Sequence, residues 1–213
     1  MSAESTIKGY LIVHLEHILD EIGEDETKKI LLGFSCPLNS DVEKFLHHKA
    51  IEFAKQSLSQ TFLVFTSYKD EPTLVGYFTL ANKTILVDKA VLRGNVKRKI
   101  GRFGTYNPVI KKYVFSAPLI AQIGKNYKYH EQNLISGDEL LKMACDKIAE
   151  AQFVLGGKVV YLECEDNEKL KNFYSSNGFV EFGKRKLFVV CGPGNDDRDA
   201  VWLGCGALMV DDE

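Results

Sequence analysis

Residues 159–179 read VVYLECEDNEKLKNFYSSNGF. An apolar run ends in Glu163, Glu165 and Asp166, a polar turn follows, and Phe173 and Tyr174 precede an Asn-Gly-Phe stop. Residues 158–164 predict a buried strand and residues 167–176 a short helix ending at Gly178. Asn167 stands where an N-cap belongs. Alternation sets Glu163 and Glu165 on one face at the C-terminal end of the strand, with Cys164 facing the other way, into packing. Open α/β sheets seat ligands at that end of their strands.

Upstream, residues 113–124 (YVFSAPLIAQIG) predict another strand, and YKYHEQNLISG leads into a helix from Asp138. Leu140, Leu141, Ala144, Ile148 and Ala151 form its apolar stripe. Asp138 is read as its cap. A strand–loop–helix unit presents backbone N–H groups and a positive dipole end, which together bind phosphate. The loop Gln132-Asn133-Leu134-Ile135-Ser136-Gly137 carries neither a GKS/GKT nor a GxGxxG pattern.

Downstream, residues 179–190 and 200–209 predict a hairpin across the turn-rich CGPGNDDRD. Residues 61–68 and 74–81 predict an earlier hairpin. Nearer the N-terminus, residues 10–22 place Leu11, Leu15, Ile18, Leu19 and Ile22 at helical spacing up to Gly23, and a second helical piece covers 25–33. Residues 39–59 predict one or two amphipathic helices capped from Asn39, Ser40 or Asp41. The order is helices, hairpin, strand, helix, strand, helix, hairpin. That is an α/β fold of the mixed α+β kind around one βαβ core. A helical N-terminal segment, 1–33, is expected to pack on a domain spanning 34–213.

Residues 89–112 break the pattern. They hold Lys89, Arg93, Lys97, Arg98, Lys99, Arg102, Lys111 and Lys112 and no acid, and their glycines argue against a continuous regular element. They read either as a solvated loop or as a phosphate-contacting patch for RNA or a phosphorylated cofactor.

The 213 residues carry a net charge of −2, so the chain as a whole is not a polyanion binder. Five widely spaced cysteines without a CxxC argue against a disulfide framework or a zinc site. Adjacent His47 and His48 point to different sides of a helix, and His14 and His17 are expected on solvated faces; no metal is expected. No signal peptide or membrane span is read, and a cytoplasmic protein without membrane contact is expected.

Taken together, the loop 132–137 and the segment 167–179 resemble the GCN5-related N-acetyltransferase (GNAT) family. Its phosphate loop, Gln/Arg-x-x-Gly-x-Gly/Ala, is matched here by Gln132 and Gly137, with Ile135 in place of a glycine. Its second motif, Asn-x-x-Ala-x-x-Phe/Leu-Tyr-x-x-x-Gly-Phe, is matched in spacing by Asn167, Phe173, Tyr174, Gly178 and Phe179, with Leu170 in place of Ala. The stretch FSCPLNSDVEKFLHHKA, through Phe34, Cys36, Glu43, Phe45, Leu46 and Ala50, resembles one bacterial branch. That branch includes the acetylating toxins of toxin–antitoxin modules, which modify aminoacyl-tRNA, and Firmicute-type GNAT proteins. Pro37 departs from its glycine.

The resemblance implies a mostly antiparallel mixed sheet with splayed cofactor strands, and acetyl-CoA as acetyl donor. Backbone around Ile123, Gly124 and Lys125 would pair with the pantetheine arm. The amides of Asn133, Leu134, Ile135, Ser136, Gly137 and Asp138 would hold the pyrophosphate. Asn167 and Phe173 would lie beside the cofactor. Tyr174 would protonate the leaving thiolate, and Glu163 or Glu165 would act as base on an amine acceptor the sequence does not name. A C-terminal hairpin is a common dimer edge in the family, so a homodimer is a further expectation. A non-catalytic binding module on this scaffold is the alternative from another class.

Overall fold

The computed structural model describes residues 5–7, 9–90, 92, 94–187 and 198–206. The chain falls into two compact units, residues 1–81 with 121–144 and residues 82–120 with 145–213.

In the first unit, Ser5–Ile7 (β1) pairs antiparallel with Tyr10–His14 (β2). β2 pairs with Gln60–Tyr68 (β3), and β3 with Glu71–Asp88 (β4). Residues 10–14 are therefore strand, where a helix over 10–22 was expected. YLIVH is rich in aromatic and β-branched residues, and the free edge of β3 decides between two periods that its apolar run fits equally. The helix Leu15–Leu32 (α1) follows, interrupted at Gly23 (φ 78°, ψ 171°), where the sequence placed a helix end. His14 is half-buried and meets Phe62 edge-on at 5.0 Å, so it is not on a solvated face; burial lowers its pKa.

The helices Ser40–His48 (α2) and Ala50–Lys55 (α3) come next. The Asn39 side chain caps α2 by accepting from the N–H groups of Asp41 and Val42. Leu15, Leu31, Phe34, Val42, Leu46, Leu63 and Tyr77 form the core of this unit. Lys69 and Asp70 turn the β3–β4 hairpin, both at positive φ, as a two-residue hairpin loop requires.

In the second unit, residues 94–103, read as irregular, form the helix Gly94–Phe103 (α4). Its glycines sit mostly at the ends: Gly94 has φ 52°, and the Gly104 N–H donates to the Ile100 carbonyl at 2.7 Å. Ile100 is buried with Ile85, Leu92 and Phe115, and that burial offsets the weak helix propensity. Thr105–Asn107 (β5) pairs with Lys112–Lys125 (β6).

Val159–Glu165 (β7) runs parallel to β6 through Leu119↔Tyr161 and Ile120↔Leu162. The expected C-terminal hairpin forms between Val180–Leu187 (β8) and Arg198–Gly206 (β9). β9, not β8, is the neighbour of β7. Gly137–Leu155 (α5) precedes β7, and Glu168–Ser176 (α6) follows it. The strand order is β1-β2-β3-β4-β6-β7-β9-β8, with β5 on β6. Leu140, Leu141, Ala144 and Ile148 of α5 are buried as their spacing predicts, whereas Ala151 is exposed. No helix among the described residues is long and apolar enough to cross a membrane.

Candidate active site

Residues 159–179 fold by local rules. The Asn167 side chain accepts the Lys169 N–H at 2.8 Å and so caps α6. At the other end, the Phe179 N–H donates to the Tyr174 carbonyl and the Gly178 N–H to the Ser175 carbonyl, each at 3.0 Å. With Gly178 at φ 81°, this is a Schellman motif. It also brings the Phe179 ring against Tyr174, with centroids 5.9 Å apart and edge-on. The spacing Tyr-x-x-x-Gly-Phe thus has a mechanical meaning: it locks the Tyr174 ring between Phe173 and Phe179.

Tyr174 is 7% exposed. Burial, with a smaller effect from Cys164, raises its pKa far above the ordinary tyrosine value. Its hydroxyl therefore keeps its proton at neutral pH and is able to donate a hydrogen bond. Cys164 is half-buried, and burial pushes its thiol up to about 11. A neutral thiol is no nucleophile. The sequence put Cys164 into packing without a link to Tyr174; the fold makes the two electrostatic neighbours. By alternation that is the strand face opposite Glu163 and Glu165. Of these acids, Glu163 is half-buried and Glu165 exposed. Asp166 is held by Lys171 of α6 at 2.8 Å.

Residues 123–125 and 132–138, which the resemblance assigns to the cofactor, lie in the first unit. Gly124 is glycine for packing: a Cβ there would stand 2.6 Å from Val42 Cγ1 and 3.3 Å from Phe34 Cζ. The Gly124 carbonyl would come within 3.0 Å of a Cβ at Gly76 of β4, and the Asn126 N–H donates to Val75 of β4 at 2.8 Å. Backbone groups alternate sides along a strand, so those of Ile123 and Lys125 point away from β4.

After β6, a 3₁₀ helix, Tyr127–Gln132, ends on exposed Gln132 and on Asn133 in the left-handed region (φ 43°). The Asn133 N–H turns back to the His130 carbonyl at 3.2 Å. The Leu134 carbonyl accepts the Tyr10 hydroxyl at 2.8 Å. Ile135, at the motif's glycine position, is a core side chain, 2% exposed. A shallow, solvent-open depression lies here, lined by Lys125, Tyr129, His130 and Asn133 among others.

α5 starts at Gly137, and its cap is Ser136 rather than Asp138. Ser136 Oγ accepts the Glu139 N–H at 3.1 Å, while the Glu139 carboxylate accepts from both the N–H and the hydroxyl of Ser136 at 2.8 Å. This is a reciprocal capping box. The Ser-x-x-Glu spacing that marks it stands in the sequence and is the signal that could have singled out Glu139. The Ser136 N–H at the start of α5 is thus engaged by a carboxylate of the same turn. Among the described residues, no group of three His, Cys, Asp or Glu side chains could hold a metal.

Solved structures with the same architecture include toxins, one of them a bacterial toxin. AtaT complexed with acetyl-methionyl-tRNAfMet superposes with a TM-score of 0.59 at 16% identity, covering 90% of this chain and 93% of that one. The fold is that of the GNAT acetyltransferases. A mutant of KacT matches this chain with a TM-score of 0.59 at 15% identity, covering 92% of this chain and 94% of that one. AtaTR bound with acetyl-CoA matches with a TM-score of 0.54 at 16% identity over 92% and 94%. No family model matches the sequence, and no curated protein does. The GNAT scaffold is thus carried by tertiary structure at sequence identities too low to transfer a substrate.

Proposed function

We propose that the protein is an acetyl-CoA-dependent N-acetyltransferase that passes the acetyl group to a primary amine by direct attack. Acetyl-CoA supplies the activated thioester. The N–C bond forms as the C–S bond breaks, and the leaving thiolate needs a proton or a strong hydrogen bond. Tyr174 carries this reading: its ring is packed against Phe173 and Phe179, its hydroxyl stays protonated, and in the sequence it matches the tyrosine of the resembled motif. Ile123 and Lys125 offer backbone groups to the pantetheine amides as an added strand would. Gln132 and the loop from Asn133 to Asp138 hold the pyrophosphate, and Asn167 and Phe173 flank the cofactor arm. Glu163 or Glu165, by alternation on the β7 face opposite Cys164 and Tyr174, would take the amine proton only through water at the strand end. A lysine acceptor, with pKa ~10.4, needs such a base more than an α-amine near ~8.

A second reading names aminoacyl-tRNA as the acceptor. It is favoured by residues 89–112, where Lys89, Lys97, Arg98 and Arg102 are exposed and Lys89 lies 4.9 Å over the Tyr106 ring. Cations beside an open aromatic suit a nucleic-acid strand.

Calorimetric titration with acetyl-CoA, followed by an acceptor screen of small amines and charged tRNA, tests both readings. Micromolar binding and transfer to an amine support the enzyme. Binding without transfer to any acceptor supports a binding module on a GNAT scaffold. Transfer to charged tRNA that weakens with salt, and that is lost when Lys97, Arg98 and Arg102 are changed to Ala, selects the second reading.

A further inference from the structure

On the acetyl-transfer reading the amides at the start of α5 hold the cofactor's phosphates, and one of them already donates to an acid of the chain itself. Glu139 is the third residue of the helix, and its carboxylate bonds the Ser136 N–H and hydroxyl at 2.8 Å each. Tyr10, on β2, also reaches Glu139 with its side chain, while its hydroxyl donates to the Leu134 carbonyl. Lys125, at the end of β6, acts on the same carboxylate electrostatically. Three elements of one unit thus bear on Glu139, and one of the groups, the Ser136 amide, is among those proposed above for the pyrophosphate. An anion held by a backbone amide at a helix N-terminus and drawn by a neighbouring lysine is in the situation of a bound phosphate.

Building on the acetyl-transfer reading, we infer that Glu139 is an internal competitor for the cofactor's pyrophosphate, which binds only as the carboxylate leaves Ser136. Two anions cannot share one amide at contact distance without strong repulsion. Acetyl-CoA affinity is therefore set by the exchange of one anion for another. Ile135 is part of the same arrangement. Its burial anchors the loop where a glycine would leave it free to follow the phosphates, so the side chain that moves is Glu139.

Glu139→Gln separates the two roles of this residue. Glutamine serves at this position of a capping box, so the helix start is kept while the charge is removed. Binding of acetyl-CoA and of acetyl-pantetheine, which has no phosphate, is measured by calorimetry on the full chain. Thermal melting reports the cap. In the variant, acetyl-CoA affinity rises about tenfold, the order expected when a charge-assisted hydrogen bond no longer opposes the ligand. Acetyl-pantetheine affinity stays where it was, and the melting temperature falls slightly, because the bond that opposes the phosphates also holds the unliganded helix start. In the unaltered protein, the Ser136 amide resonance moves on adding acetyl-CoA and not on adding acetyl-pantetheine.

Equal acetyl-CoA affinity in the two proteins, or a weaker one in the variant, overturns the inference and leaves Glu139 a helix cap, with the acetyl-transfer reading intact. An unmoved Ser136 amide under saturating acetyl-CoA does the same without relying on the variant. Binding of neither ligand to either protein overturns the acetyl-transfer reading together with the inference.

Discussion

Two residues of the site are constrained for different reasons. Tyr174 has its backbone and ring fixed by neighbours on and just beyond its own helix, so removing its hydroxyl changes chemistry and little else. Tyr174→Phe is expected to lower kcat by about 10²–10⁴-fold, the usual worth of a positioned acid, with acetyl-CoA affinity unchanged in calorimetry. An unchanged kcat would remove Tyr174 from the mechanism. Gly124 belongs to packing instead. A methyl at Gly124 meets Val42 Cγ1 at 2.6 Å and has Phe34 and Tyr77 behind it. Gly124→Ala should cost about 1–3 kcal/mol, read in a denaturant melt, as overpacked cores do.

At the scale of elements, the helix α6 is stopped by backbone geometry. Gly178 sits at φ 81°, and a Cβ added there would meet nothing within 4 Å, so the cost of a side chain is conformational and not steric. Gly178→Ala is expected to destabilise by about 1–2 kcal/mol and to loosen the Phe179–Tyr174 contact, visible as reduced near-UV dichroism. The elements around 159–179 were legible because each signal is local: an apolar run, an Asn cap, a glycine stop. The strand β2 was not. Residues 10–14 are apolar enough for either period, and only pairing with Phe62 to Thr66 of β3 makes them strand. The helix α4 was missed for the opposite reason. Its glycines and charges argue against order locally, and burial of Ile100 beside Phe115 supplies what the local signal lacks.

For the whole molecule, buried tyrosines tie stability to alkaline pH. Tyr77, fully buried with its hydroxyl donating to the Val42 carbonyl at 2.6 Å, has its pKa raised well above the ordinary value by burial, as does Tyr174. Such groups keep their protons in the folded state and lose them in the unfolded chain near pH ~10. The folded state then binds more protons, so stability falls as pH rises past about 10 and is unaffected by these groups below it. Melting temperature measured from pH 8 to 11 should decline over the upper part of that range, and less steeply in Tyr174→Phe. A flat profile would show that neither ring is shielded in solution.

The amino-acid sequence by itself determined the strand β7, the helix α6 with its cap and its glycine stop, the α2–α3 helices, the β3–β4 hairpin and the position of Tyr174. Those features depend on neighbours within a few residues of one another, where propensity and hydrogen-bond geometry act directly. Only the tertiary structure decided that residues 10–14 join the sheet and that β9 lies between β7 and β8. Only it made Cys164 the electrostatic neighbour of Tyr174 and tied Tyr10 of β2 to the loop ahead of Glu139 through the Leu134 carbonyl. Each of these joins residues brought together by the fold and not by local sequence, and such contacts form only when burial and backbone pairing repay the entropy of bringing them together.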